Sequence, residues 1–264
     1  MRAIKTTAWI SAALAIAGFT PAHAQDWGDA PRERERYNGD HTVIGIGVAH
    51  VPAFQGGDDY RTLPVPVIDI AAGPIFANLR NGIGLNVVDG KTLTIGGGVA
   101  LMPGYRRRDV PEGVRRLSFG AGGRMFAHLN AGGFMVTIGG TQGFAGSTKG
   151  FIADASVAYP IAASERLSII PAVATTWADR KHTNRYFGID TREAYASGLP
   201  EYRAGKGFKD VSVTVTANYR LTDRINLSAT GGLTTLLGDA KDSPLVEHET
   251  QPSGFLALSY RFGR

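Results

Sequence analysis

Between Val211 and Leu221 the sequence alternates without a break. Val211, Val213, Val215, Ala217, Tyr219 and Leu221 fall on one face, and Ser212, Thr214, Thr216, Asn218 and Arg220 on the other. A period of two over eleven residues is the signature of a strand and excludes a helix. After the short turn Thr222-Asp223-Arg224 the pattern resumes. Ile225, Leu227, Ala229 and Leu233 face one way, and Asn226, Ser228, Thr230 and Thr234 the other. The same reading gives about twelve strands, near 41–50, 64–71, 74–80, 82–88, 91–102, 116–129, 132–143, 148–160, 165–178, 210–221, 225–237 and 253–262.

Several of these runs are longer than the roughly 5–6 residues usual in soluble sheets, and they match the 9–11 that a tilted strand needs to cross a bilayer. The connections sort by length. Long ones lie at 51–63, 103–115, 179–209 and 238–252, each after an odd-numbered strand. Short turns lie at 72–73, 130–131, 161–164 and 222–224, each after an even one, with Asp89-Gly90 as a further hairpin signal. Long outer loops and short periplasmic turns are the pattern of an outer-membrane barrel. The fold class expected is therefore all-β, a transmembrane antiparallel up-and-down β-barrel of about twelve strands, or ten if the weak pair 74–88 is not two strands. Tyr159, Tyr219, Tyr260 with Phe262, and Trp177 stand at strand ends, where interfacial aromatic girdles belong. Pro171 falls inside a strand of a structure that has no edge, and a bulge is expected there.

Composition agrees. Glycine accounts for 35 of 264 residues and charged residues for 19%, which suits neither a helical bundle nor a disordered chain. Cysteine is absent, which excludes disulfides, thiolate metal sites and cysteine nucleophiles. No apolar run reaches the roughly 18–20 residues of a membrane helix. Residues 1–24 read as a secretory signal peptide: Arg2 and Lys5, an apolar stretch from Trp9 to Phe19, then Ala22-His23-Ala24. Its removal takes the net charge from +5 to +3, too small an excess to suggest a nucleic-acid partner. Residues 25–40, with the alternating run Arg32-Glu33-Arg34-Glu35-Arg36, read as a polar periplasmic tether, and residues 41–264 as the barrel.

With the apolar faces toward lipid, the other faces line a lumen of Gly, Ser, Thr and Ala with scattered charges: Asp69, Arg124, Asp154, Arg220 and Arg261. Arg124 with Asp154 or Asp69 is a candidate charge network, since an unpaired charge there would be costly. Its plain reading is structural filling, and its functional reading is selectivity in a pore. The residues give no catalytic signature. His41, His50, His128, His182 and His248 lack zinc-ligand spacing, and no G-x-S-x-G elbow occurs. Asp179 and His182 make an acid–histidine pair with no nucleophile beside it. No enzyme activity, cofactor or metal is expected.

Three loop motifs carry a resemblance. Pro52-Ala53-Phe54-Gln55-Gly56-Gly57-Asp58-Asp59-Tyr60-Arg61 leads to Pro64 and Pro66; Tyr186-Phe187-Gly188-Ile189 leads to Ala194, Ser197-Gly198-Leu199, Tyr202 and Gly207; and Leu236 leads to Gly238-Asp239-Ala240 and Asp242-Ser243-Pro244-Leu245-Val246. In this order the chain resembles the MltA-interacting protein / OmpV family of Gram-negative outer-membrane proteins, over essentially the whole length after residue 24. Phe54 stands where the family favours Tyr, and Tyr105-Arg106-Arg107-Arg108-Asp109 matches only in part.

The resemblance implies a scaffold in the outer membrane, surrounded by lipid, that links a lytic transglycosylase to a penicillin-binding synthase in peptidoglycan remodelling. A narrow solute pore, or a surface adhesin or receptor using the outer loops, is the alternative. The motif residues Pro52, Phe54, Gly56, Asp59, Tyr60, Tyr186, Phe187, Gly188, Ser197, Gly198, Tyr202, Gly238, Asp239, Ser243 and Pro244 carry no catalytic chemistry. They suit either turn and loop packing or binding.

Overall fold

The computed structural model describes residues 40–146 and 148–263. The signal segment 1–24 and all of the tether but Asp40 lie outside the described residues. Twelve strands form the wall: β1 His41–Pro52, β2 Tyr60–Ala72, β3 Ile75–Asn78, β4 Gly82–Asp89, β5 Leu93–Met102, β6 Gly120–Ala131, β7 Phe134–Ala145, β8 Phe151–Ala158, β9 Leu167–Ala178, β10 Gly207–Arg220, β11 Ile225–Leu236 and β12 Thr250–Phe262. Each pairs antiparallel with its sequence neighbours, and β12 closes on β1 with Thr42 opposite Phe262 and His50 opposite Gly254. Closure satisfies the backbone from strand to strand along most of the wall, as lipid demands. The pair 74–88 is two strands, so the count is twelve and not ten.

Alternation decides which side chains meet lipid. Ile44, Ile46 and Val48 of β1, Val213 and Val215 of β10, and Leu256 and Leu258 of β12 are exposed on the outside. Thr216, Asn218 and Thr230 are buried inside. Half-exposed rings cluster at the periplasmic end, Phe134 against Tyr159 and Tyr260 against Phe262, with centroids 4.9 and 4.8 Å apart. The inner face also carries apolar residues beside the small and polar ones expected. Ala49, Val51, Leu63, Val65, Val67, Phe255 and Ala257 form an apolar cluster on the inner wall of β12, β1 and β2.

Besides register shifts at Asn86/Val88 and Ala121/Gly122, four irregularities bear on the lumen and the wall. Pro171 lies in register opposite Val215, without the expected bulge. Its missing N–H is accommodated by a break in the neighbouring chain, where β8 ends at Ala158 and pairing with β9 resumes only at Ile161–Ala162. The bulge in β10 lies elsewhere. Thr176 pairs with Asp210 and Trp177 with Phe208, so Lys209 is the extra residue, and Lys209 and Asp210 are both buried although adjacent.

The hairpin of β3 and β4 is short, with β3 covering only Asp69–Ala72 of β2. The rest of β2, from Tyr60 to Ile68, pairs with β1 alone among the described residues. Pro64 and Pro66 lie in this stretch, opposite Val48 and Ile46. Having no N–H, they occupy pairs that exchange no bonds with β1 and turn their nitrogens toward the uncovered side. Finally, the turn of the short hairpin tucks inward, burying Arg80 and Asn81.

Candidate functional site: a lidded lumen

The connections at the outer end fold together. Two short helices lie between β9 and β10: α1 Arg180–Phe187, capped by the Asp179 carboxylate, and α2 Thr191–Ser197, capped by Asp190 in a reciprocal box with Glu193. A third, α3 Gly238–Lys241, follows β11. Phe54, Tyr105, Val110, Val114, Leu117, Tyr186, Phe187, Ile189, Ala204, Leu236, Ala240 and Leu245 make one apolar core from four separate connections. The result is a lid over the barrel mouth with a core of its own.

Polar contacts stitch this lid. Tyr105 Oη donates to the Tyr186 carbonyl at 3.3 Å, and Ser243 Oγ to the Phe187 carbonyl at 2.6 Å. Arg115 Nε and the Glu193 carboxylate are 2.9 Å apart. The Tyr186 hydroxyl accepts from the backbone N–H of Gln55 at 3.2 Å, and burial raises its pKa to about 12.

Most motif residues serve the lid. Phe54, Tyr186 and Phe187 are in its core. Gly56 has φ +99° and donates to Gln251 Oε1 at 2.8 Å. Gly188 ends α1, and Gly198 ends α2 in the left-handed conformation. Ser197 Oγ donates to the Glu193 carbonyl at 2.7 Å. Tyr202 Oη donates to the Asp239 carbonyl at 2.7 Å, and the Asp239 carboxylate accepts from the Gly205 N–H at 2.6 Å. Gly238 opens α3 at φ +50°. Pro244 lies between buried Ser243 and Leu245. The exposed Asp59 accepts through its carbonyl from the Ala53 N–H at 2.8 Å. Pro52 ends β1 beside the cavity, and Tyr60 stacks on His50 at the rim.

Below the lid, the structure brings Arg124 and Asp154 together and leaves Asp69 apart. Arg124 donates to both Asp154 oxygens, at 2.6 and 3.0 Å, to Thr141 Oγ1 at 3.0 Å and to Asn81 Oδ1 at 3.0 Å. Asp69 lies 3.2 Å from His41 Nε2, away from this network. The tucked turn completes the arrangement. Arg80 donates to Ser156 at 3.1 Å and stands 3.8 Å from Asp154, while Asn81 reaches His128 at 3.3 Å. Leu79 packs against the apolar cluster on the β12–β1–β2 wall. The turn thus touches both sides of the lumen.

Between turn and lid lies a cavity of about 190 Å³, lined in part by Gln55, Arg80, Arg124, Asp154, His182, Lys209, Asp210 and Gln251. Sequence reasoning missed Arg80, Lys209, Asp210 and Gln251, and it met Gln55 only as part of a loop motif. Gln55 holds the bulged pair, accepting from Lys209 Nζ at 2.8 Å and donating to Asp210 Oδ2 at 3.1 Å, while Lys209 also contacts Asp210 directly. A bulge leaves no periodic signal, and neither does an inward turn.

Asp179 and His182 do not form a side-chain acid–base pair. The Asp179 carboxylate accepts from the His182 backbone N–H at 2.7 Å. The imidazole is buried, stacked on Tyr186, with no hydrogen-bond partner for Nδ1. Burial, and then the Lys209 charge, lowers its pKa to about 3, so it is neutral at any ordinary pH. Among the described residues no group of three or more acidic, histidine or cysteine side chains is placed to hold a metal, and no helix is long and apolar enough to cross a membrane.

Comparisons with known proteins follow the same line. The family described as MltA-interacting protein MipA matches residues 44–262. YiaT of Escherichia coli (strain K12), which its name assigns provisionally to the outer membrane, is 28% identical over 116 residues, 44% of this chain and 46% of that one. The 24 kDa outer membrane protein of Pasteurella multocida (strain Pm70) is 26% identical over 114 residues, 43% of this chain and 44% of that one. These alignments span less than half of either relative. Among solved structures, the KdgM porin aligns over 84% of this chain and 99% of its own with a TM-score of 0.44 and 9% identity. OprB of Pseudomonas putida aligns over 90% and 97%, with a TM-score of 0.43 and 10% identity. The strand pairing and the family match together establish that the chain is an outer-membrane β-barrel protein belonging to the MltA-interacting protein MipA family.

Proposed function

We propose that the protein is a non-enzymatic scaffold of peptidoglycan remodelling, joining a murein hydrolase of the lytic transglycosylase class to a penicillin-binding murein synthase on the periplasmic side. The family's description supports this reading, and so does the closed outer end. The observation that carries it is the lid: motif residues that a pore or an adhesin would present freely are spent on an apolar core of their own. Contact with murein enzymes then falls to the tether 25–40 and to the periplasmic turns 159–166 and 221–224. In these turns Arg220 reaches the Glu165 carbonyl, and Arg224 donates to Tyr260 Oη at 3.2 Å. In this reading residues 1–24 are cleaved on export.

A crosslinked pull-down from native outer membranes tests it. Recovery of a lytic transglycosylase and a penicillin-binding synthase, both lost on deletion of 25–40, supports the scaffold. Recovery of neither by the intact protein overturns it. The cavity favours one second reading, a gated path for small solutes, which single-channel conductance addresses directly.

A further inference from the structure

The short β3–β4 hairpin leaves a gap in the outer half of the wall. On one side runs the free edge of β2, Tyr60–Ile68; on the other is the end of β5 beyond Val99, the last β5 residue paired with β4. Lipid-facing side chains flank the gap: Pro64 and Pro66 on β2, Val99 and Leu101 on β5, all exposed. Inside, Leu79 of the tucked turn packs on the apolar wall. Another β-strand is a poor occupant, because the two prolines remove donors from the very edge it would need.

The β5–β6 connection, 103–119, bridges the top of the gap. It leaves β5 at Met102 and is tied back to β2 by Arg61 Nη1, which donates to Asp109 Oδ2 at 3.2 Å. This stretch carries Arg106, Arg107, Arg108 and Arg116. Among the described residues no carboxylate lies within ion-pairing distance of Arg106, Arg107 or Arg116. Arg108, 76% exposed, comes within 3.9 Å only of Asp109, which already accepts from Arg61 and from the Arg106 N–H. The charges of Arg106 and Arg108 reach Arg61 of β2, which sets this basic run beside the apolar gap. Its own acidic residues are Asp109 and Glu112, against these four arginines and Arg115, which pairs with Glu193. Guanidinium forks match phosphate oxygens in shape and charge, and a basic cluster beside a bilayer attracts anionic headgroups.

We propose that this gap binds a phosphorylated glycolipid of the outer leaflet, with its phosphates on Arg106, Arg107, Arg108 and Arg116 and an acyl chain along Pro64, Pro66, Val99 and Leu101. The two halves of the site suit the two halves of such a lipid, and a free phosphate would use only the upper one.

Native mass spectrometry of the full chain in detergent tests the assignment, with bisphosphorylated lipid A, the same lipid stripped of phosphate, and inorganic phosphate as probes. We expect bisphosphorylated lipid A to be retained at least about tenfold better than the stripped lipid. Retention should fall by a similar factor in Arg106→Ser/Arg107→Ser/Arg108→Ser, and be unchanged in Arg203→Ser, which removes an exposed arginine elsewhere on the lid. Heat-modified gel mobility reports whether each variant has a folded barrel. Should the triple serine variant fail to fold, the comparison of the two lipids on the unsubstituted chain still decides. Equal retention of both lipids overturns the proposal, as does undiminished retention by a folded triple variant. Binding of inorganic phosphate that displaces the lipid at equal concentration would reassign the site to the free anion and overturn the lipid as its occupant.

Discussion

Arg124 of β6 reaches Asp154 of β8 across the whole width of β7, passing over Gly139. Thr141 lies opposite Arg124 in the β6–β7 register, and Gly139 lies opposite Asp154 in the β7–β8 register. A Cβ on Gly139 would fall 2.4 Å from Arg124 Nη2. The glycine leaves room for the guanidinium, which is held there by four hydrogen bonds.

Gly139→Ala should therefore displace Arg124 and destabilise the barrel by about 2–3 kcal/mol, in the range of other changes that break a buried polar network. Asp154→Ala should cost about 3 kcal/mol, because it strands the buried guanidinium of Arg124 and takes the nearby carboxylate from Arg80, whereas Arg124→Leu with Asp154→Leu, which leaves only Arg80 without that carboxylate, should cost less. Thermal unfolding followed by heat-modified gel mobility measures all three. A double variant no more stable than Asp154→Ala would show that the pair does more than fill the lumen.

The architecture was legible because lipid imposes a strict code. Every lipid-facing position of β10 is apolar and every inner one small or polar, so alternation alone located both strand and face. Pro171 misled because the sequence names the residue that lacks an N–H and not the neighbour it faces; the interruption falls at Tyr159–Pro160, in another strand. Pro64 and Pro66 looked like part of a loop motif, yet they mark the free edge of β2. Arg124 and Asp154 stood out as charges in apolar surroundings, but Arg80, Gln55 and Lys209 enter the lumen through a turn, a loop and a bulge, none of which has a period. The lid core was visible only as a family resemblance, because its parts come from four connections far apart in sequence.

Phe187 is fully buried at the centre of that lid. Phe187→Ala should cost about 3–5 kcal/mol through lost burial and the cavity left behind. The loss should be local, since the wall strands are held by their own ladders. Hydrogen exchange should accelerate across 180–205 and 238–246 while β10 and β11 keep their protection. Uniform loss of protection through the strands would show that the lid and barrel unfold as one unit.

His182 makes the lid sensitive to acid. Its pKa is about 3 in the folded protein and about 6.5 where the ring is solvated. Between these values the opened lid binds a proton that the closed lid does not, so closure is fully stable above about pH 6.5 and weakens as pH falls toward 3. At pH 5 the loss is about 2 kcal/mol. Exchange in α1, corrected for the intrinsic pH dependence of the amide reaction, should rise from pH 7.5 to pH 5. His182→Phe, which keeps the stack on Tyr186 without a titrating ring, should flatten the profile. A profile unchanged by this substitution would place the acid sensitivity elsewhere.

The lumen is obstructed twice, and the two obstructions are separable. The lid covers the mouth, and the turn at Leu79–Asn81 crosses below it to meet Arg124, His128, Asp154 and Ser156. Removing the lid alone, by replacing 180–205 with a short Gly/Ser linker, should expose the cavity and leave ionic current blocked by the turn. Adding Arg80→Gly and Asn81→Gly should open a path, because the Arg124–Asp154 pair is anchored to β6 and β8 and does not itself fill the section. Planar-bilayer recordings should show no steady conductance for the unaltered protein or the lid deletion, and measurable channels for the combined variant. Steady channels from the unaltered protein would mean that lid and turn move together in the membrane, and would favour the solute path over the scaffold.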